Sequence, residues 1–220
     1  MTRRHHRRGN GKPAGQRASW DQGQAEHGRD NVRAAIAHAA ARLIAEGLGD
    51  YHAAKLKAAR QIGVSDKGSL PDNQEIELAL REHLALFQRD SQPPILQDLR
   101  ETALYAMQWL SAFSPWLTGP VLSGTANAFS EIELELIGVE AKSLELFLLN
   151  EGVEFDTQER KDRALANTLR YVPEWNDAPL VITLFDNHAQ RQVATPRDSL
   201  RQERVQRDEA EKRFADITKP

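Results

Sequence analysis

The hydrophobic period of this chain changes once, near residue 114. Through residues 32–44, apolar side chains recur every three or four positions, which is the spacing of a buried helix face. Through residues 131–136, glutamate alternates with an aliphatic residue, which is the period of a strand with one polar face. This order predicts an α+β fold, with a helical N-terminal half followed by a small α/β sheet module.

The helical region is expected to span residues 31–114 and to contain four helices. Gly47 and Gly63 end the first two, because glycine breaks a helical pattern. Asp72 or Asn73 supplies the N-cap of the third, whose apolar face continues as far as Phe87. The fourth follows a pair of prolines and ends in a segment rich in aromatic residues.

The sheet module is expected to span residues 115–195. Strands are predicted at 116–122, 131–136, 153–155 and 179–185, with a helix at 139–151. The last of these strands is apolar except at Thr183, as expected for a central, buried position. Residues 196–220 are dominated by charged and amide side chains, so they are predicted to be a solvated helix or a frayed tail, with an interaction surface as the alternative.

Composition restricts the class of protein. The chain has 220 residues, 40% of them hydrophobic and 28% charged, which are ordinary values for a globular protein. Cysteine is absent, which excludes disulfides and thiolate metal sites. We find no apolar run of about 20 residues, so a membrane-spanning segment is not expected and the cytoplasm is the default location. The net charge of −3 gives the whole chain no electrostatic preference for nucleic acid. Oligomeric state stays open.

Positive charge is concentrated at the N-terminus. Residues 1–30 are expected to form a disordered arm, because glycine and proline near its start disfavour a helix. The cationic residues are Arg3, Arg4, Arg7, Arg8, Lys12 and Arg17. The arm either grips nucleic-acid phosphates or only solubilises the chain. Lys55, Lys57 and Arg60 raise the same pair of alternatives, a DNA-facing helix or a solvated helix face.

The segment at residues 119–134, Gly-Pro-Val-Leu-Ser-Gly-Thr-Ala-Asn-Ala-Phe-Ser-Glu-Ile-Glu-Leu, carries the most chemistry. It resembles the signature of the nucleotidyltransferase superfamily, which has the polymerase-β-like fold. In that family a glycine turn at a helix start is followed by a loop of small residues and then by two acids, two positions apart, on a strand. The positions that match are Gly119, Gly124, Thr125, Ala126, Ser130, Ile132 and Leu134.

The resemblance implies a site with assigned roles. Glu131 and Glu133 would be the catalytic and metal-binding carboxylates, since residues two apart on a strand point to one face and can share divalent cations. Gly119, Ser123, Gly124, Thr125 and Ser130 would bind the nucleotide. An active enzyme would need Mg²⁺ and a nucleoside triphosphate.

Several positions depart from the family pattern. Pro120 replaces the phosphate-binding serine, and Ser123 stands where an arginine is common. Both acids are glutamates, whose extra methylene displaces the metal positions, and Mg²⁺ tolerates such displacement poorly. Alignment of the last strand puts Ile182 or Thr183 at the third acidic position, and Asp186 follows at the strand end.

The wider chain, residues 33–185, also resembles an uncharacterised bacterial family. Members are often labelled nucleotidyltransferase, or muramate–alanine ligase, and they share an Ala-Lys-x-Lys-Ala-Ala motif, here residues 54–59. The ligase label has no support in these residues, because residues 9–13 are too short for a phosphate loop.

Three hypotheses follow for the function. The first is a degenerate nucleotidyltransferase-like protein, catalytically impaired, that binds a nucleotide or an RNA or protein partner. The second is an active, metal-dependent nucleotidyltransferase. The third is a nucleic-acid-binding protein that uses the basic arm.

Overall fold

A computed structural model describes residues 14–160, 168–176, 178–185 and 203–217. In these residues the helices are α1 (Ala14–Ala45), α2 (Tyr51–Ile62), α3 (Asn73–Phe87), α4 (Gln92–Trp109), α5 (Gly119–Ser123), α6 (Ala141–Asn150) and α7 (Arg207–Ile217). The strands are β1 (Trp116–Thr118), β2 (Ile132–Ile137), β3 (Phe155–Arg160), β4 (Thr168–Pro173) and β5 (Leu180–Phe185). Short 3₁₀ turns occupy Lys67–Ser69 and Ser111–Phe113.

The five strands form one mixed sheet in the order β1-β2-β5-β4-β3. β2 is antiparallel to β1 and parallel to β5, while β4 is antiparallel to both β5 and β3. β2 and β5 are therefore neighbours although they are far apart in the sequence. Their register places Ile132 opposite Leu180 and Ile137 opposite Phe185.

Local sequence signals fix the ends of α2 and α3. The Asp50 carboxylate accepts the Ala53 backbone N–H at 2.8 Å and caps α2. Asp72 and Glu75 form a reciprocal capping box at the start of α3, which satisfies two backbone donors that the helix leaves unpaired. Gly63 ends α2 with a φ of 81°, a left-handed conformation that glycine adopts without strain.

The buried apolar side chains form two separate clusters. One joins α1, α2 and α3 through closely packed alanines and leucines, among them Ala40, Ala54 and Leu80. The other joins the sheet to α4, α5, α6 and α7. The aliphatic residues of α4, such as Met107, belong to this second cluster, so α4 packs with the sheet although it lies in the helical region of the sequence.

The two faces of the sheet differ in polarity. The aliphatic residues of β2 and β5, with Tyr171 of β4, are buried on one face against α4 and α6. The opposite face carries Glu133, Glu135, Thr183 and Arg170, because partners in the strand register share a face. We call this second side the polar face.

The expected mixed α and β architecture, with a helical N-terminal half, is confirmed. Several segments differ from the sequence expectations. The strand predicted at 116–122 ends at Thr118, because the chain turns at Gly119, whose φ is positive, and continues as α5. The strand β4 was not predicted.

α1 begins at Ala14 and continues unbroken through Gly15 and Gly23. Residues 14–30, which were predicted to belong to a disordered arm, are therefore helical. Residues 203–217, in the predicted tail, pack against the sheet through Val205 and Phe214. None of the described helices combines the length and the apolar character needed to cross a membrane.

Candidate functional site

The glycine turn after β1 lies directly against Glu133. Gly119 begins α5 with a φ of 72°, and a Cβ atom built on it would lie 2.7 Å from both the carboxyl carbon and Oε2 of Glu133. Only glycine fits this close approach without displacing the carboxyl group. The predicted proximity of the turn and the acidic strand is therefore present for Gly119 and Glu133.

Glu131 is bound by an arginine from a different strand. Arg170 of β4 donates a hydrogen bond to Glu131 Oε2 and forms an ion pair with it. The Glu131 side chain is 47% exposed and that of Arg170 28% exposed, so the pair lies at the edge of the polar face. Arg170 is opposite Thr183 of β5 in the strand register. A fixed positive charge thus lies beside the acidic pair.

The register of β5 decides which of its residues face the acidic pair. Val181 is opposite Glu133 and Thr183 is opposite Glu135, so both lie on the polar face. Ile182 is on the other face and fully buried, which makes it wrong as a candidate for the third acidic position. Thr183 faces the correct side but carries a hydroxyl, and Asp186 lies outside the described residues.

These donors do not fit a two-metal cage. Within the described residues, no three histidine, aspartate or glutamate side chains come together in a way that could hold a metal ion. The described part of β5 ends at Phe185, which lies opposite Ile137 of β2. Ile137 is four residues, or roughly 13 Å, along β2 from Glu133. Two glutamates, one of them paired with Arg170, provide too few oxygen ligands for a pair of hard cations.

Glu135, the next residue on the same face, is buried and has its own arginine. Its side chain is bonded by Arg204 at 3.2 Å, and the Arg204 guanidinium lies 5.6 Å from the centre of the Trp116 ring. Burial raises the pKa of Glu135, and the Arg204 hydrogen bond opposes that rise. Glu131, Glu133 and Glu135 are therefore not a row of free, solvated charges, since both Glu131 and Glu135 have an arginine partner.

The loop after α5 uses its backbone donors internally. The Pro120 carbonyl accepts the N–H groups of Gly124, Thr125 and Ala126, each at 3.0 Å. These donors are consequently unavailable to a phosphate. Ser130, expected to bind nucleotide, instead closes the turn by donating to and accepting from Asn127.

No family model, curated protein or solved structure matches the chain.

Hydroxyl groups line the side of the loop that faces the helical half. Ser123 Oγ and Thr125 Oγ1 lie 2.9 Å apart, and the phenol of Tyr51 in α2 lies close to Thr125. Burial raises the pKa of Tyr51 to about 12, so its phenol stays protonated at neutral pH. Arg81 of α3 donates to the Ser123 carbonyl at 3.3 Å and to Glu77 at 2.7 Å. This set of residues, Tyr51, Arg81, Ser123 and Thr125, forms a polar cluster that we call the loop cluster.

The sequence did not indicate Tyr51, Arg81, Arg170 or Arg204 as site residues. Tyr51 and Arg81 come from helices whose packing against the loop has no signal in the sequence. Arg170 carries one weak signal, because it lies between two apolar residues of a short alternating segment and so had to face the polar side of a strand.

The features proposed for nucleic acid are only partly within the described residues. Residues 1–13 of the basic arm lie outside them. Lys55 does not extend freely from α2, because its ammonium group donates to Asn73 at 3.0 Å. This contact reduces the basic surface that the helix presents to a partner.

Proposed function

We propose that this chain is a nucleotidyltransferase-like protein that binds a nucleotide without catalysing metal-dependent transfer. The observation that carries the proposal is the ion pair between Arg170 and Glu131. Glu131 is two residues before Glu133, whose carboxyl group lies against Gly119. The acidic pair keeps its place beside a glycine turn, but one member is already neutralised by a side chain of the protein.

The order of elements supports the resemblance on which the proposal rests. A short strand leads through the glycine turn and α5 to β2, which carries Glu133 and is directly preceded by Glu131, and β2 pairs in parallel with a later strand. Fold does not determine function, so the activity has to be argued from the side chains. Those side chains favour binding over transfer, because the described residues supply no third carboxylate beside Glu133.

The loop cluster supplies the groups for a phosphate. A guanidinium binds phosphate oxygens through paired, charge-assisted hydrogen bonds and does not require a metal. The Arg81 side chain is 55% exposed, is paired with Glu77 and donates to the Ser123 carbonyl, so it lies next to the residue whose hydroxyl contacts that of Thr125. We therefore expect Arg81 to hold the phosphate chain of the nucleotide.

Calorimetry on the full chain tests this proposal. Each of the four nucleoside triphosphates is titrated in EDTA and again in Mg²⁺. At least one should bind with a Kd that changes less than about twofold between the two conditions. Arg81→Gln should weaken that binding at least about tenfold, the loss of one charge-assisted phosphate contact. Arg42→Gln is the matched control, since Arg42 is also an exposed helical arginine paired to a glutamate four residues away.

Transfer activity is the competing hypothesis, and the shared face of Glu131 and Glu133 is the observation that favours it. Incubation with labelled triphosphate and Mg²⁺ or Mn²⁺ should give no product. A metal-dependent product that disappears in Glu133→Gln would overturn the proposal, as would binding that requires Mg²⁺. Absence of binding for every triphosphate in both conditions would also refute it.

A further inference from the structure

Arg100 of α4 is a buried cation, and within the part of the chain that the structure describes it forms no ion pair. The residue is 6% exposed, and its Nε is buried with no hydrogen-bond partner. Desolvation lowers the pKa of Arg100, and no carboxylate of the described residues offsets this effect. An isolated buried charge destabilises the folded state, so proteins normally pair such a group or place a ligand against it.

The guanidinium lies between an aromatic ring and a glycine. Its central carbon lies 4.6 Å from the centre of the Phe214 ring of α7. At the other end, Nη2 lies 3.4 Å from the point where a Cβ on Gly124 would be. Arg100 therefore spans the space between α7 and the loop that follows α5, with a cation–π contact to Phe214 at one end.

A cleft opens beside this arginine between α4 and α7. Its volume is about 200 Å³, with Leu104, Phe214 and Ala215 among its lining residues. Two acids, Glu101 and Glu211, also line it, but each already has a partner. Gln97 donates to Glu101 at 2.7 Å, and Arg207 forms an ion pair with Glu211 at 2.7 Å. The cleft is thus lined by apolar side chains, by the Arg100 cation, which has no ion-pair partner among the described residues, and by two glutamates that already have partners.

We infer that this cleft, the Arg100 cleft, binds a small monocarboxylate with an apolar body. The carboxylate pairs with the Arg100 guanidinium, in the bidentate geometry that arginine favours, and the apolar body lies against Leu104 and Phe214. Glu101 and Glu211 repel a second negative charge, so a phosphate dianion binds less well than a monocarboxylate. The site is separate from the loop cluster and does not depend on nucleotide binding.

Thermal unfolding of the full chain with defined probes tests the inference. Benzoate supplies the carboxylate and an apolar ring, benzamide is its neutral counterpart, and inorganic phosphate is the dianion. Benzoate at ten times its Kd should raise the Tm by roughly 3–6 °C, and benzamide and phosphate at the same concentration should raise it far less. No stabilisation by benzoate, or equal stabilisation by benzamide, would overturn the inference.

Two variants link the effect to Arg100. Arg100→Met keeps the length of the side chain and removes the buried charge, so it should abolish the benzoate shift and raise the Tm of the free protein. Should Arg100→Met fail to fold, Glu101→Gln provides the independent measurement, because the partner of Glu101 is the uncharged Gln97 and no cation is released. Removal of that like charge should tighten benzoate binding at least about threefold, and an unchanged or weaker affinity would contradict the assignment.

Discussion

At the scale of single residues, Gly119 and Gly152 share a backbone conformation and differ in their surroundings. Their φ values are 72° and 70°, but a Cβ on Gly152 meets nothing within 4 Å, whereas one on Gly119 meets the Glu133 carboxyl group. Gly152→Ala should cost about 1 kcal/mol of backbone strain, and Gly119→Ala a little more, because the flexible end of the Glu133 side chain must also move. Chemical denaturation measures both, and equal losses would show that the contact with Glu133 carries no energy.

Glu135 gives a second residue-scale prediction, in the pH dependence of stability. Because burial raises its pKa in the folded protein, the folded state holds this proton more tightly than the unfolded state. The stability that this proton binding contributes to the folded state is therefore fully present below the ordinary glutamate pKa, and it is lost as the pH rises through the raised pKa. The stability of Glu135→Gln, measured relative to that of the parent protein, should consequently increase from pH 4 to pH 7. Urea unfolding at both pH values measures this, and a variant that worsens towards pH 7 would contradict it.

At the scale of elements, α7 is part of the sheet's packing. Val205, just before the helix, exchanges two backbone hydrogen bonds with Leu117 at 2.9 and 3.0 Å, and Phe214 is 7% exposed. Phe214→Ala should cost about 3–5 kcal/mol, the range for a large buried aromatic side chain. Lys212→Ala, an exposed position on the same helix, should change stability by less than about 0.5 kcal/mol. Comparable losses in both would mean that the helix is not docked as described.

The elements that the sequence predicted well are those with a long, regular period. β2 and β5 follow from an alternating and a continuous apolar run, and α3 follows from its capping residues and apolar face. The docking of α7 did not follow, because Ala210 and Phe214 are isolated apolar residues in a strongly charged helix. Two residues four apart give too short a pattern to distinguish a docked helix from a solvated one.

For the candidate site, sequence spacing predicted which residues share a face but not what lies opposite them. Glu131 and Glu133 were placed together by the strand period alone. Their neighbours depend on strand order, which puts Arg170 of β4 beside Glu131 and Val181 of β5 beside Glu133. Because these contacts join segments about 40 to 50 residues apart, no local pattern encodes them.

At the scale of the whole molecule, the cluster of α1–α3 is joined to the sheet module largely by polar contacts. Asn127 donates to the Ala45 carbonyl at 3.3 Å, and Arg81 donates to the Ser123 carbonyl at 3.3 Å. Since the two hydrophobic clusters are separate, cooperative unfolding depends on such bonds. Asn127 is 3% exposed, which makes its bond to α1 the one best shielded from water.

Asn127→Asp tests that coupling. The carboxylate can still accept the Phe129 N–H that Asn127 accepts at 2.9 Å, but it cannot donate to Ala45 and buries a charge. We expect a loss of about 2 kcal/mol or more, with amide hydrogen exchange accelerated in α1–α3 and little changed in β2 and β5. Asn150→Asp, the same change at an exposed position, should leave both regions unaffected. Faster exchange spread evenly over helices and sheet would instead show that the two clusters unfold as one unit, held together by more than these polar bonds.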